Sequence, residues 1–170
     1  MDSKNELRRF VEQMAHARRA FCATDVPVRY TPEELLLEYG RTWTWRSLPP
    51  KVRLMERKAC FFNALKLALK RRELAYVEGY VGYLIPIHHG WLVTPSGAVL
   101  DPTLRVESDK RPEYFGVAFH TAWVRQVVRE QGYAGVLYSH RVVTDPPERY
   151  LRPVAVATAV QAAIDKALDE

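Results

Sequence analysis

Residues 57–83 read RKACFFNALKLALKRRELAYVEGYVGY, and within this stretch the hydrophobic period changes from near four to two. Phe61, Ala64, Leu65 and Ala68 fall on one face, which predicts a buried helix from residue 57 or 58 to about residue 72. From residue 74 the chain turns rich in Tyr and Val, and Tyr76, Glu78 and Tyr80 alternate onto one side. That pattern predicts a strand over 74–83. A helix feeding directly into a strand sets the expectation of an α+β fold.

The sequence on either side extends the pattern. Downstream, a second strand is predicted over 88–94 and a third over 98–101, joined by the turn signal Pro95-Ser96-Gly97. A fourth strand is expected over 114–119, a helix over about 122–132, and a short last strand over 135–138. Residues 141–153 read as a polar, proline-bearing loop, and 154–168 as a closing alanine-rich helix. Upstream, Leu7, Phe10, Val11, Met14, Ala17 and Phe21 form the apolar stripe of a helix over 4–22. Thr31-Pro32-Glu33-Glu34 supplies a cap, a proline at the first helical position and acids in the first turn. The helix it starts should stop at Gly40, and residues 41–50, with Trp43 and Trp45, read as irregular.

Composition narrows the classes. The chain has 170 residues, 48% hydrophobic and 26% charged, which suits one folded domain over residues 1–170 with its core about 57–119. No apolar run reaches the roughly 18–20 residues that span a bilayer. The polar N-terminal residues carry no secretory pattern, so a cytoplasmic protein without a membrane partner is expected. Two cysteines, Cys22 and Cys60, make neither a disulfide framework nor, alone, a four-ligand zinc site. The net charge of +5 is spread over helix faces, which argues against a nucleic-acid partner.

Three residues carry chemistry in this order: Cys60 in the first turn of a buried helix, His89 on one hairpin strand, Asp101 on its partner. A thiol attacks as thiolate, a form favoured at a helix N-terminus or beside a cation. A histidine can take the thiol proton, and a carboxylate can fix the tautomer and orientation of that histidine. Strand geometry imposes a condition. A two-residue turn at Ser96-Gly97 would leave Asp101 on the face opposite His89, whereas a three-residue turn or a bulge would bring both to one face. The glycine permits the second, and that is the expectation. Cys22 has no such companions and reads as inert packing.

The strings Ala59-Cys60-Phe61-Phe62-Asn63-Ala64, His89-Gly90-Trp91 and Leu100-Asp101-Pro102-Thr103 resemble those of transglutaminase-like cysteine enzymes within the papain-like superfamily. Tyr76-Val77-Glu78-Gly79-Tyr80 and Tyr114-Phe115-Gly116-Val117 look like strings of small bacterial and phage members of that group. The resemblance covers roughly residues 60–119. It implies a papain-like core, a cysteine-bearing helix packed on an antiparallel sheet that carries the His and the Asp. It further implies Cys60 as nucleophile, His89 as base and Asp101 as orienting acid, with no cofactor and no metal. Gly90 replaces the alanine usual between the histidine and the tryptophan. No glutamine lies before Cys60 to complete an oxyanion hole, so the Cys60 amide supplies one donor, with Asn63, Trp43 and Trp45 as candidates for the second.

The activity expected is hydrolysis or transfer at an amide or related acyl bond, through a Cys60 thioester, on a protein, peptide or other amide substrate. Readings of other kinds stand beside it. Cys60 alone would be a buried apolar thiol. His88 could replace His89 as base, although it points to the opposite strand face. His88, His89, His120 and His140 could hold zinc, although no pair has helical ligand spacing. Glu78 faces solvent or lines the cleft, and Trp91 is core or the wall that keeps the site dry. The alternative function is a catalytically inactive papain-like scaffold that binds protein or nucleic acid through its basic surface.

Overall fold

The structure is a computed structural model that describes residues 6–21, 30–49, 52–106 and 110–154. Its elements in chain order are α1 (Glu6–Phe21), α2 (Pro32–Tyr39), β1 (Arg41–Trp43), α3 (Cys60–Lys70), β2 (Ala75–Gly82) and β3 (Pro86–Val93). They continue with β4 (Val99–Leu100), β5 (Glu113–Phe119), α4 (Thr121–Gln131), α5 (His140–Thr144) and α6 (Pro147–Tyr150). The five strands form one curled antiparallel sheet in the order β1-β5-β2-β3-β4. The α+β class is therefore observed. Cys22 and residues 155–168 of the expected closing helix lie outside the described residues.

The local signals in the N-terminal half form as their chemistry dictates. The Thr31 hydroxyl accepts the Glu34 N–H at 3.3 Å while the Thr31 N–H donates to the Glu34 carboxylate at 2.9 Å. This reciprocal pair, with Pro32 at the first helical position, starts α2. At the other end of the chain α4 stops at Gly132, whose φ of 82° lets its N–H reach the Val128 carbonyl.

The sheet separates two apolar clusters. Tyr76, Tyr80, Leu92, Phe115, Val117 and Phe119 face the helices, meeting Val11 of α1, Leu35 and Leu36 of α2, Ala64 and Ala68 of α3, and Val124 of α4. Val77, Val81, Trp91, Val93, Tyr114 and Ala118 face the other way, against Trp43 and the partly buried Trp45 and Leu104. The two faces follow from the period-two alternation of a strand, read in the sequence for β2 and present also in β5.

Three expectations change. Residues 41–43, read as irregular, form the edge strand β1, in register with Arg41 opposite Gly116 and Trp43 opposite Tyr114. β5 had an open edge there, and pairing satisfies backbone groups that burial would otherwise leave unmet. Residues 135–138, read as a strand, join no sheet, because the N–H groups of Val136 and Leu137 donate to the Glu78 carboxylate. The loop expected over 141–153 contains α5 and α6, the latter begun by Pro146 and Pro147 and held by buried Tyr150.

Candidate active site

The site is assembled at the start of α3 and along the outer side of β3. The β3–β4 turn decides whether His89 and Asp101 can meet. Leu92 pairs with Leu100 and Val93 with Val99, so three residues, Pro95 to Gly97, make the turn. Gly97 adopts a φ of 84°, and its N–H reaches the Thr94 carbonyl at 2.9 Å. This odd-length connection puts Asp101 on the His89 face, as the glycine suggested. His89 Nε2 lies 2.7 Å from Asp101 Oδ2.

Asp101 is almost saturated with donors. Its Oδ2 also accepts the Tyr114 hydroxyl at 2.9 Å, and its Oδ1 accepts the N–H groups of Thr103 at 2.8 Å and Leu104 at 3.0 Å. Burial would raise its pKa; His89 and the two backbone donors outweigh burial and lower it. Burial pulls the His89 pKa down, but the hydrogen bond to Asp101 and the Cys60 thiol overcome this and raise it to about 9. With Nε2 committed to the carboxylate, Nδ1 is the ring nitrogen left for the thiol.

Cys60 opens α3 and is only 8% exposed. Its approach to His89 depends on a set of staples between the chain before α3 and the chain after β4. Asn63 Nδ2 donates to the Glu56 carbonyl at 2.7 Å and to Thr103 Oγ1 at 2.9 Å. The Met55 N–H donates to the Pro102 carbonyl at 2.7 Å, and Arg105 donates back to the Met55 carbonyl at 3.1 Å. Lys58, two residues before Cys60, takes a φ of 65°, and Ala59 caps the helix without a side-chain bond. The first turn of α3 thus keeps its N–H groups clear of any capping side chain.

Behind His89 the sheet leaves room for a ring. His89, Gly79 and Gly116 occupy one row across β3, β2 and β5. Two missing side chains make a gap, and Trp91 fills it. The indole stacks on the imidazole at 6.4 Å and 16° and meets Tyr114 edge-on at 5.1 Å. A Cβ on Gly116 would stand 2.5 Å from the Glu78 carbonyl oxygen and 2.6 Å from the Trp91 ring. Gly116→Ala should therefore cost about 1–3 kcal/mol, the usual range for overpacking, measured by urea unfolding. Unchanged stability would show that the row relaxes freely.

The remaining candidates divide. Trp91 is fully buried, so it walls the site and does not touch substrate. Asn63 spends its side-chain N–H groups on the staples, and Trp43 Nε1 donates to the Gly116 carbonyl at 3.2 Å, so neither serves an oxyanion. Trp45 packs half-buried on the second-face cluster, beside the bridge of Thr44 to Ala98. Glu78 neither faces solvent nor lines the cleft: it is fully buried on the helix-covered face. His88 lies on that face too, 3.6 Å from Glu78. No group of three or more metal-ligating side chains occurs among the described residues. The sequence does not single out Tyr114 as a partner of Asp101, reads Thr103 only as part of the strand end, and offers Lys58 as a cation near the Cys60 thiol. Alternation with Gly116 and Ala118 marks the Tyr114 face.

The pair also links stability to pH. A histidine raised from about 6.5 unfolded to about 9 folded stabilises fully below pH ~6.5, and this is lost as pH rises through 9. The shift corresponds to on the order of 3 kcal/mol. Asp101, lowered in the fold, contributes above its unfolded value near 4 and loses that contribution in acid. Urea midpoints should fall between pH 6.5 and 9 in the wild type and stay flat there in His89→Gln. A parallel fall in both would assign the effect elsewhere. No helix among the described residues is long and apolar enough to cross a membrane. No protein-family model, no curated protein and no solved structure matches this chain.

Proposed function

We propose that the protein is a papain-like, transglutaminase-like cysteine enzyme that cleaves or transfers an amide or related acyl bond through a Cys60 thioester. The observation that carries this reading is the His89–Asp101 hydrogen bond of 2.7 Å, on a carboxylate held by three further donors and beside a thiol at a helix N-terminus. With its pKa raised to about 9, His89 already carries a proton on Nδ1 near neutral pH, and the Cys60 sulfur paired with it attacks the carbonyl carbon as thiolate. A C–S bond forms, and the carbonyl oxygen becomes an oxyanion facing the Cys60 N–H. When the intermediate collapses, the C–N bond breaks and the leaving amine takes the His89 proton. Water or an amine then attacks the thioester, giving up its proton to His89, and Cys60 leaves as thiolate. Asp101 stabilises the imidazolium in both halves and remains ionised. Trp45, whose indole N–H makes no hydrogen bond among the described residues, is the remaining side-chain candidate for the second oxyanion donor.

Site-resolved labelling with iodoacetamide near neutral pH tests the reading. Cys60 should react about tenfold or more faster than Cys22, because Cys60 has a partnered imidazole and a helix N-terminus. Equal, slow labelling of both thiols would favour an inactive scaffold that binds a partner.

A further inference from the structure

Arg72, Arg125 and Arg152 stand far apart in sequence and meet at one cavity of about 380 Å³, between the end of α3 and the start of α4. His120 is the remaining titratable residue of its lining, and no Asp or Glu lines it among the described residues. The chain has 25 basic and 20 acidic residues, so composition alone does not produce a lining of bases only. Arg72 and Arg125 are exposed, and neither side chain makes an ion pair or hydrogen bond among the described residues. Glu73, next to Arg72 in sequence, pairs instead with Arg71 at 3.6 Å. Glu148 lines a neighbouring cavity together with His120 and Arg152, and among the described residues it pairs with neither. Like charges thus gather without a counter-charge, an arrangement that an entering anion relieves.

The third arginine is fixed in place before any ligand arrives. The Arg152 N–H donates to the Ala118 carbonyl at 2.9 Å, which ties it to β5, and its guanidinium donates to the Leu74 carbonyl at 2.8 Å. Its other nitrogen lies 3.4 Å from the Arg72 carbonyl oxygen, so the two arginines share one rim of the cavity. The start of α4 adds donors to the same space. Thr121 and Ala122 of its first turn line the cavity, that turn carries no acid, and the cap residue His120 makes no side-chain bond to it.

We propose that this cavity binds a small phosphate monoester, whose dianionic phosphoryl group is held by Arg72, Arg125 and Arg152. Guanidinium forks match phosphate oxygens with paired N–H donors, and a dianion has oxygens enough for all three. The first-turn amides of α4 are further donors to the same group. The volume falls within the roughly 300–1,000 Å³ of small-molecule sites, which favours a compact ligand over a polymer. Cys60 and Leu69 lie toward opposite ends of α3, roughly 13 Å apart along its axis at about 1.5 Å per residue. The bound group therefore does not reach the thiol, and the proposal stands apart from the reading of Cys60 as a nucleophile.

The test is calorimetric titration of the full chain at about pH 7.5 and about 0.15 M salt, where long-range attraction between exposed charges is screened. Methyl phosphate, mostly dianionic there, should bind saturably with a Kd of about 0.1–1 mM. Dimethyl phosphate has nearly the same shape and one charge, and should bind about tenfold or more weakly. The amide NMR signals of Thr121 and Ala122 should shift along the methyl phosphate saturation curve. Arg72→Gln and Arg125→Gln should each weaken methyl phosphate about five- to tenfold. Arg129→Gln removes the same charge from an exposed position of α4 outside the cavity and should stay within about twofold. No saturable binding of methyl phosphate, equal binding of the two esters, or an equal loss in Arg129→Gln overturns the proposal. So does an oligonucleotide without a terminal phosphate that shifts the Thr121 and Ala122 signals at lower concentration than methyl phosphate, because that marks attraction of a polyanion. Should a variant not fold, the comparison of the two esters on the wild type decides alone.

Discussion

Cys60→Ala is expected to abolish burst hydrolysis of an activated ester such as p-nitrophenyl acetate, with a loss on the order of 10⁴-fold or more. Cys60 is the triad member with a base beside it, whereas His89 Nε2 is committed to Asp101 and the Tyr114 hydroxyl donates to the same carboxylate. His89→Ala should follow closely, losing on the order of 10²–10⁴-fold, the range of a general acid–base catalyst. In that variant slow alkylation of Cys60 should persist, because the helix N-terminus remains while the imidazole is gone. Both variants should unfold cooperatively, so lost activity can be separated from a lost fold. Wild-type turnover in folded Cys60→Ala would refute the assignment.

Asp101→Asn should be more harmful than the shape of asparagine suggests. Oδ1 faces two backbone N–H groups, and Oδ2 faces His89 Nε2 and the Tyr114 hydroxyl. An amide has one oxygen to serve these two sides. If the oxygen stays with Thr103 and Leu104, the NH2 group donates to Nε2 and drives the proton onto Nδ1, the nitrogen that must receive the thiol proton. If it turns to His89, the NH2 group meets two N–H groups head-on. Turnover should drop by on the order of 10²–10⁴-fold, with slower alkylation of Cys60 and a His89 titration shifted toward its ordinary range. Wild-type activity in Asp101→Asn would demote Asp101 and leave Cys60 and His89 standing.

The parts of the site legible in the sequence are those governed by local chemistry. Thr31-Pro32-Glu33-Glu34 announces a helix start because cap, proline and acid act within one turn. Gly97 announces a three-residue turn because a positive φ is cheap only for glycine, and that one residue brings Asp101 to the His89 face. Tyr76, Glu78 and Tyr80 read correctly as one strand face, but the pattern does not say whether that face meets water or a helix.

Tertiary structure decided what residue type leaves open. β1 exists because β5 offers an unpaired edge, and the Val and Leu of 136–137 stay out of the sheet because a buried carboxylate reaches them first. Asn63 and Trp43, candidate oxyanion donors by residue type, have their side-chain N–H groups taken by partners 40 and 73 residues away. Periods and caps arise from neighbours along the chain, and so the order helix, strand and hairpin, and the meeting of His89 with Asp101, can be read in one dimension. A hydrogen-bond donor is spent or free according to which acceptor folding brings beside it, and that is a property of the packed interior.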